Sequence, residues 1–326
     1  MPLLRDVPLA PLTTLHLGGP ADVLASCESA AELVDAVRTY PTALVLAGGS
    51  NVVLPDLGLS EVVLVRNRGV DGLVVQAGED WDDFVAMSLD AGLVGLEALS
   101  GIPGTVGASP IQNIGAYGAE VSAAIASVQV WDVVLDQALE LPAASCDFAY
   151  RTSLFKQNSG RYVVLAVTFA LAEGTLSAPV RYAQLATRLG VEIGSRAPAR
   201  EVREAVLDLR RSKGMVLSDA DPDTVSVGSF FTNPLVPEAP DGAQSWPDAS
   251  GLVKVSAAWL IERSGFGKGW GTGSIGLSSK HTLALVNRGG GTTADLMEAA
   301  RTIRDGVQQR YGITLVNEPV IVGGVL

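Results

Sequence analysis

Two glycine-rich turns are the part of this sequence best suited to bind an anion. One is Gly48-Gly49-Ser50-Asn51, and the other lies in residues 95–120, GLEALSGIPGTVGASPIQNIGAYGAE. Because glycine permits close backbone approach and successive backbone N–H groups attract phosphate, such turns can hold a diphosphate. A plain series of turns explains the glycines of residues 95–120 equally well. Taken together, the two turns favour a ligand with a central diphosphate, such as FAD.

The common nucleotide-binding motifs are excluded by their context. The literal G-x-G-x-x-G, Gly271 to Gly276, follows a glycine-rich loop instead of a strand and begins no helix. Lys268 in GFGKGW is not followed by Ser or Thr, as a P-loop requires. A nucleotide would therefore bind here through a different architecture.

Three side chains could do chemistry, and each has an ordinary alternative. Arg151 in DFAYRTSLFK is an isolated cation beside Tyr150, and it is either paired within the protein or presented to an anionic substrate. Ser229 in VGSFFTNP lies between a glycine and two phenylalanines, where a hydroxyl usually belongs to a turn. Glu318 is the only charged residue in the last fourteen, and it either faces solvent or has a shifted pKa in a site.

Composition narrows the class of protein. The chain has 326 residues, 48% of them hydrophobic, which is enough for two or three domains with buried cores. A formal net charge of -12 argues against a nucleic-acid or anionic-membrane surface. The N-terminal segment lacks the pattern of a secretory signal, and no apolar run reaches the roughly 18 residues of a membrane span. We therefore expect a cytoplasmic protein with neither nucleic acid nor membrane as a partner.

The scarcity of histidine and cysteine disfavours several kinds of site. His16 and His281 are the only histidines, and no serine lies in a G-x-S-x-G turn, so a hydrolytic triad is disfavoured. A loop residue that forms hydrogen bonds is the favoured interpretation of His281. No histidine or carboxylate pair has metal-ligand spacing, so we expect no metal. Cys27 and Cys146 are expected to be buried packing residues.

Apolar periodicity predicts the elements that must position these residues. Ser29 and Glu32 fit a capping box at the start of a ten-residue helix. Further helices are predicted over residues 81–91, 200–211 and 293–311, the last ending at Gly312, and another within KVSAAWLIERSG. Strands are predicted over residues 43–47, 61–65, 73–76, 125–131 and 161–171, and in HTLALVN. Gly, Ser, Asp and Pro dominate residues 213–223, which indicates a domain boundary.

Several segments, in order along nearly the whole chain, resemble the UDP-N-acetylenolpyruvoylglucosamine reductases. The long glycine segment and GSFFTNP (228–234) are the most specific, whereas LAGGSN alone would suit many flavoproteins. The other matching segments are TLHLGGPAD (14–22), VLAGGSNVVLPD (45–56), YRTSLFK (150–156), KVSAAWLIERSG (254–265), SSKH (278–281) and LVNEPVIVG (315–323).

The resemblance implies an α/β (α+β) fold of three domains. Two form an FAD-binding unit of the vanillyl-alcohol-oxidase/PCMH type, and the third is a substrate-binding α/β domain. We place the first FAD-binding subdomain at 1–66, the second at 67–214, the substrate domain at 215–314 and a tail that returns to the active site at 315–326. We expect a monomer, or at most a weak homo-oligomer.

The resemblance also implies a reaction. NADPH reduces bound FAD, and UDP-N-acetylglucosamine enolpyruvate then takes a hydride from flavin N5 at C3, in a ping-pong sequence that yields UDP-N-acetylmuramate for peptidoglycan synthesis. Arg151 and a protonated Glu318 would stabilise the negative charge that develops at C2, and Ser229 would protonate C2. An FAD-dependent oxidase of a sugar or alcohol on the same scaffold is the alternative, but it leaves Arg151 and GSFFTNP unexplained.

Binding residues follow from the same position-by-position match. FAD would be held by residues of the two glycine turns: Ala47, Gly48, Gly49, Ser50, Asn51, Pro103, Gly104, Gly107, Ala108, Asn113, Gly115, Ala116 and Gly118. The substrate would be held by Tyr150, Tyr182, Lys213, Asn233, Lys254 and His281. Tyr182 resembles the tyrosine that clamps the UDP moiety in one subclass of the family.

The tail departs from the usual family pattern. Proline, glutamate, valine and arginine usually stand where this chain has Asn317, Glu318, Pro319 and Val320. The alignment of Glu318 therefore depends on Leu315 before it and Gly323 after it.

Overall fold

Twenty strands and seven α-helices are present in the computed structural model, which describes residues 1–248 and 250–326. The helices are α1 (Ala30–Thr39), α2 (Trp81–Asp90), α3 (Leu154–Gln157), α4 (Ala183–Leu189), α5 (Ala199–Arg211), α6 (Ala257–Arg263) and α7 (Thr293–Tyr311). The strands are β1 (Leu3–Pro8), β2 (Pro20–Cys27), β3 (Leu44–Leu46), β4 (Val52–Val53), β5 (Leu59–Val65), β6 (Val70–Asp71), β7 (Val74–Gln76), β8 (Leu93–Val94), β9 (Gly115–Ala116), β10 (Ala119–Glu120), β11 (Ile125–Asp132), β12 (Gln137–Pro142), β13 (Tyr162–Phe169), β14 (Ala172–Glu173), β15 (Leu235–Val236), β16 (Ser245–Pro247), β17 (Val253–Val255), β18 (Ile275–Leu277), β19 (Leu285–Asn287) and β20 (Val320–Ile321).

The chain divides into two compact units, each built from separate stretches. Unit 1 comprises Met1–Val7, Ala21–Gly48 and Ser60–Arg211, and unit 2 comprises Pro8–Pro20, Gly49–Leu59 and Ser212–Leu326. The segment predicted as the first domain, residues 1–66, is thus shared between both units. The division into three domains stays a prediction.

Unit 1 contains two main sheets. One has the strand order β1-β2-β5-β3, in which β3 and β5 run parallel. The other has the order β12-β11-β13-β7-β6 and is antiparallel throughout. Helix α2 packs its aromatic face on this second sheet, where the Phe84 and Phe169 ring centroids lie 4.8 Å apart. Asp80 caps α2 by accepting from the backbone N–H groups of Asp82 and Asp83.

Unit 2 contains several small sheets and one long helix. The strands β15, β17 and β16 form an antiparallel sheet, β18 pairs with β19, and β20 pairs with β4 in parallel. Helix α7 begins at a capping box between Thr292 and Asp295 and ends at Gly312, whose φ is 68°. Its predicted bounds and its glycine stop are therefore confirmed. The core of this unit includes Phe230 and Phe231, which are almost fully buried.

Most predicted elements are present, and some were missed. The helices near residues 30, 81, 200 and 257 and the strands near 44, 61, 74, 125 and 162 match the predictions to within a few residues. The strands β1 and β2, the strand β12 and the helix α4 were not predicted. None of the helices within residues 1–248 and 250–326 is long and apolar enough to cross a membrane. Both cysteines are buried as expected, and burial raises the pKa of each thiol to about 11.

Candidate active site

The two glycine turns approach each other closely within unit 1. A Cβ atom on Gly48 would lie 2.8 Å from the Cα of Gly104, closer than real side chains approach. Gly104 has a φ of 122°, a conformation that favours glycine, and its carbonyl accepts from the N–H of Trp81 at 3.1 Å. Two glycines are therefore required for the backbones to meet at this point.

Not every glycine of the long segment is free to serve a ligand. The N–H of Gly107 donates to Ala77 O at 2.9 Å, and a Cβ on Gly107 would overlap Ala77. The N–H of Ala108 donates to Thr105 O at 3.1 Å. Both residues are predicted to contact the cofactor. The Gly107 amide fixes the short helix Val106–Ala108 to Ala77, and the Ala108 amide closes the first turn of that helix.

One buried polar atom beside Gly104 has no hydrogen-bond partner within the described residues. The Thr105 hydroxyl is buried and has no hydrogen bond within the described residues. Buried polar atoms normally have a partner, and the few exceptions often mark a site for a ligand or water. An unsatisfied hydroxyl next to the contact of Gly48 with Gly104 fits a polar nucleotide such as FAD, so the residues present suit this cofactor.

Asn113 organises the end of the glycine segment. It is fully buried with a φ of 47°, and its Nδ2 donates to Glu120 Oε2 at 2.8 Å and to Ala149 O at 3.2 Å. Its Oδ1 accepts from the N–H of Ser122 at 3.1 Å. The side chain of Asn113 therefore joins the β9–β10 hairpin to the turn that carries Arg151.

Arg151 lies at the tip of a tight turn with a strained backbone. Ala149 and Thr152 exchange two backbone hydrogen bonds of 3.1 Å around it, and its φ is 55°. A positive φ at a residue other than glycine is costly and tends to occur at functional sites. Its Nη2 donates to Gly115 O at 2.7 Å, and a Cβ on Gly115 would lie 3.1 Å from Nη1. The guanidinium is thereby oriented by the glycine segment.

Gly101 is held at both of its backbone polar groups by charged side chains. Its N–H donates to Asp82 Oδ1 at 2.6 Å, and its carbonyl accepts from Arg210 Nε at 3.1 Å. Arg203 binds both oxygens of Asp82, at 2.6 and 2.8 Å. Burial lowers the pKa of Arg210 to about 10, against the opposing effects of Tyr117 and Asp82. Helix α5 thus fixes the start of the glycine turn through two arginines.

Two predicted binding tyrosines of unit 1 are partly exposed. Tyr150 is 39% exposed, and its ring centroid lies 5.6 Å from the guanidinium carbon of Arg151. Tyr182 is 42% exposed and directly precedes α4. Both rings are therefore accessible to a ligand.

In unit 2, three of the segments predicted to form the site lie side by side. The N–H of Glu318 donates to Phe230 O at 2.8 Å, next to Ser229. The N–H of Val320 then donates to Asn51 O at 3.0 Å, where β20 pairs with β4. The tail thus joins the Ser229 segment to the first glycine turn.

The Ser229 segment is fixed on both sides. Gly228 has a φ of 73°, and its N–H donates to Ser226 Oγ at 3.2 Å. Phe230 is completely buried, and its N–H donates to Leu283 O at 2.7 Å. Ser229 itself is half-buried, and no described residue forms a hydrogen bond with its hydroxyl. The Ser229 hydroxyl is therefore available to a ligand, and the backbone that carries it is fixed.

The first glycine turn continues into unit 2. Gly49 has a φ of 61°, and its carbonyl accepts from the N–H of Thr14 at 3.1 Å. A Cβ on Gly49 would overlap the carbonyl of Leu12. Glycine is therefore required at position 49 by conformation and by space. Ser50 and Asn51 also interact with other groups.

The remaining substrate candidates belong to unit 2. Asn233 Oδ1 accepts from the N–H of Ala257 at 2.9 Å, which fixes the start of α6. Lys254 in β17 has its Nζ 3.7 Å from an oxygen of Asp248. The N–H of His281 donates to Ser278 Oγ at 3.2 Å. Lys213 is half-buried near the start of the stretch 212–326.

Within the described residues no cluster of His, Cys, Asp and Glu could hold a metal ion.

Comparison with known proteins identifies the family. The chain is similar to the UDP-N-acetylenolpyruvoylglucosamine reductase of Thermobifida fusca, with 52% identity over 99% of this chain and 98% of that protein. It is 49% identical to the reductase of Streptomyces avermitilis, over 98% of this chain and 95% of that protein. This chain belongs to the UDP-N-acetylenolpyruvoylglucosamine reductase family.

Family models and a crystal structure agree with this membership. Residues 21–138 match the FAD binding domain, and residues 221–322 match the C-terminal domain of UDP-N-acetylenolpyruvoylglucosamine reductase. The crystal structure of the reductase from Thermus caldophilus covers 98% of this chain and 99% of its own, with a TM-score of 0.69 and 26% identity. The predicted fold class, α/β with an FAD-binding unit, is confirmed, and the protein is an FAD-dependent oxidoreductase of the reductase family.

Several residues that form the candidate site were not predicted from the sequence. Asp82, Arg203 and Arg210 hold Gly101, and Thr105 presents a buried hydroxyl. The contacts of Asp82, Arg203 and Arg210 span 19 to 121 positions of the sequence, so periodicity gives no sign of them. Glu97 had a visible signal, because it is the only charged residue between Gly95 and Ala119. Arg151 lies in unit 1, whereas Ser229 and Glu318 lie in unit 2.

Proposed function

We propose that this protein reduces UDP-N-acetylglucosamine enolpyruvate to UDP-N-acetylmuramate, with NADPH as the electron donor and FAD as the carrier. The product would be a precursor of peptidoglycan. The observation that carries the proposal is the pairing of the Glu318 segment with the Ser229 segment, which brings two predicted catalytic segments together in unit 2. The names of the relatives support the same substrate.

The two glycine turns are proposed to hold the cofactor. The backbones of Gly48 and Gly104 lie close together because neither residue has a side chain. Thr105 has a buried hydroxyl without a hydrogen-bond partner within the described residues. When bound, FAD supplies the hydride that is added at C3 of the enolpyruvyl group. The protein's own task is then to bind the substrate, stabilise negative charge near C2 and deliver a proton there.

Ser229 is proposed to give its hydroxyl proton to C2. An alcohol is a weak acid, so it can act only towards a strongly basic, carbanion-like centre within hydrogen-bond reach. The backbone on either side of Ser229 is fixed, by Gly228 through Ser226 and by the buried Phe230. A fixed donor reduces the reorganisation that the proton transfer requires.

Arg151 and Glu318 are proposed to stabilise the negative charge at C2 and on the neighbouring carboxylate. The Arg151 guanidinium is oriented in advance by Gly115 O, so little reorganisation is needed when the charge develops. The backbone of Glu318 is fixed by the hydrogen bond from its N–H to Phe230 O. Its carboxyl group would donate a hydrogen bond when protonated.

Binding of the UDP-sugar is proposed to use six further residues. Tyr182 would contact the UDP moiety, and we propose on this basis that the protein belongs to the subclass with the tyrosine loop. Lys213 and Lys254 carry charges suited to a diphosphate. Asn233, whose Oδ1 accepts from the start of α6, would donate to the substrate through its Nδ2. The full set is Tyr150, Tyr182, Lys213, Asn233, Lys254 and His281.

Anaerobic half-reactions test the proposal. We expect NADPH to bleach the flavin absorbance and UDP-N-acetylglucosamine enolpyruvate to restore it. Rapid reoxidation by oxygen with a sugar substrate, and no response to the enolpyruvyl sugar, would identify an oxidase instead.

The variant Ser229→Ala separates the two half-reactions. We expect flavin reduction by NADPH to be kept and substrate reduction to fall by about 100-fold or more, since general acid catalysis contributes about 10²–10⁴. Ser264→Ala is the matched control, because Ser264 is also a half-buried serine of unit 2 whose hydroxyl has no hydrogen bond within the described residues. Equal rates in both variants would contradict the role of Ser229.

A further inference from the structure

The segment that leads to Tyr182 is attached to the glycine segment at its beginning. We call residues 176–182 the clamp loop. Glu97 is only 1% exposed, and its carboxylate accepts from the N–H of Gly95 and from the N–H of Ala178, both at 2.7 Å. A buried carboxylate is stable only with such hydrogen bonds, and those to a charged group are strong. Glu97 therefore fixes the start of the clamp loop to the start of residues 95–120.

A second attachment lies at the end of the clamp loop. The turn between β9 and β10 consists of Tyr117 and Gly118, with φ values of 50° and 81°. A Cβ on Gly118 would lie 3.1 Å from the Cβ of Arg181 and 3.5 Å from the N of Tyr182. Glycine at position 118 therefore lets the clamp loop pass close to the hairpin.

The same turn presents an aromatic ring to Tyr182. The ring centroids of Tyr117 and Tyr182 are 5.5 Å apart, and their planes are at 89°. This is the edge-to-face arrangement that aromatic pairs prefer. Tyr117 is largely enclosed, and burial raises the pKa of its phenol to about 12. Tyr182, by contrast, is 42% exposed, and the Tyr117 ring packs against it.

We propose that Tyr117 is a positioning residue for Tyr182, and that its ring holds the Tyr182 ring in the orientation that receives the UDP moiety. This inference rests on the proposed function, in which Tyr182 contacts the substrate. Tyr117 lies in the same segment as Gly104. In this proposal, residues 95–120 contribute to the FAD site and also orient Tyr182 in the UDP site. Without the ring of Tyr117, Tyr182 must lose side-chain freedom on binding, which weakens affinity.

A double-mutant cycle tests the positioning. Tyr117→Asn removes the ring and suits a positive φ, and Tyr182→Leu removes its partner. We expect Tyr117→Asn to raise the KM for UDP-N-acetylglucosamine enolpyruvate and the Kd for UDP by about 3- to 10-fold, in line with the strength of one aromatic pair. Its kcat should change less than twofold. In the Tyr182→Leu background, adding Tyr117→Asn should change neither constant.

Two further measurements separate positioning from other causes. Tyr117→Phe keeps the ring and should have the KM of the wild type, whereas a KM raised as much as in Tyr117→Asn would overturn the role of the ring contact. Flavin content should stay equal in all variants, and a loss of flavin in Tyr117→Asn would instead indicate a structural defect.

The outcomes also distinguish the inference from the function on which it rests. A wild-type protein that neither binds UDP nor reduces the enolpyruvyl sugar would overturn both. An active wild type in which the effects of Tyr117→Asn and Tyr182→Leu simply add would overturn the positioning alone.

Discussion

The contact between the two glycine turns predicts the effect of one added methyl group. In Gly48→Ala, the new Cβ would lie 2.8 Å from Gly104 Cα, whereas ordinary contact begins at 3.4 Å, so the two backbones must separate by about 0.6 Å. Overpacking of this kind costs about 1–3 kcal/mol. If the separation distorts the flavin site, that free energy appears as a roughly 5- to 150-fold higher Kd for FAD.

The assay is flavin titration of the apoprotein, followed by fluorescence, together with thermal unfolding. Gly174→Ala is the matched control in unit 1, because its added Cβ would lie 3.6 Å from Val94 Cγ2, an ordinary contact, and its φ is not positive. We expect Gly174→Ala to bind FAD as the wild type does. A Gly48→Ala protein with unchanged FAD affinity and unchanged melting temperature would refute the argument that these turns form the cofactor site.

Two further predictions concern stability. Burial alone would raise the pKa of Asp82, but hydrogen bonds from Arg203 and the Gly101 N–H outweigh it and hold the pKa below its ordinary value. A carboxylate whose folded pKa is depressed stabilises the fold above its unfolded pKa of about 3.9, so the melting temperature should fall less steeply between about pH 5 and 3 in Asp82→Asn than in the wild type. At pH 7, the same variant should be about 1.5–3 kcal/mol less stable in urea unfolding. Arg288 donates to the carbonyls of Gly271, Gly269, Trp270 and Leu277, and Arg288→Lys should lower stability by about 1–2 kcal/mol because one ammonium cannot reach them all.

Local patterns predicted the regular elements well, and helix α7 shows why. Its apolar periodicity, the Thr292 cap and the Gly312 stop all lie within the helix or next to it, so the sequence contains the whole signal. Strands β1 and β2 were missed because prolines and polar residues interrupt them, and their pairing partners in the sheet supply what the local pattern lacks.

The candidate site was predicted only where its residue types were unusual. The glycines at 48 and 104 were identified from their clustering, although the contact between them was not visible in the sequence. Nothing in the local sequence distinguishes Arg203 and Arg210 from the other two arginines of α5, yet Arg210 is almost completely buried against Gly101. Their roles depend on residues about a hundred positions away.

The division of unit 2 among three stretches of sequence has a consequence for synthesis of the protein. Thr14 donates to Ser226 across 212 positions, and Asn287 donates to Leu15 across 272. Contacts this distant form only after long loops close, which makes folding slow. As the ribosome releases the chain, Leu15 and Leu17 emerge early and stay uncovered until residues 227–315 have been made. During that interval a nascent apolar segment is exposed to aggregation, so holding it in solution is a task for cellular chaperones.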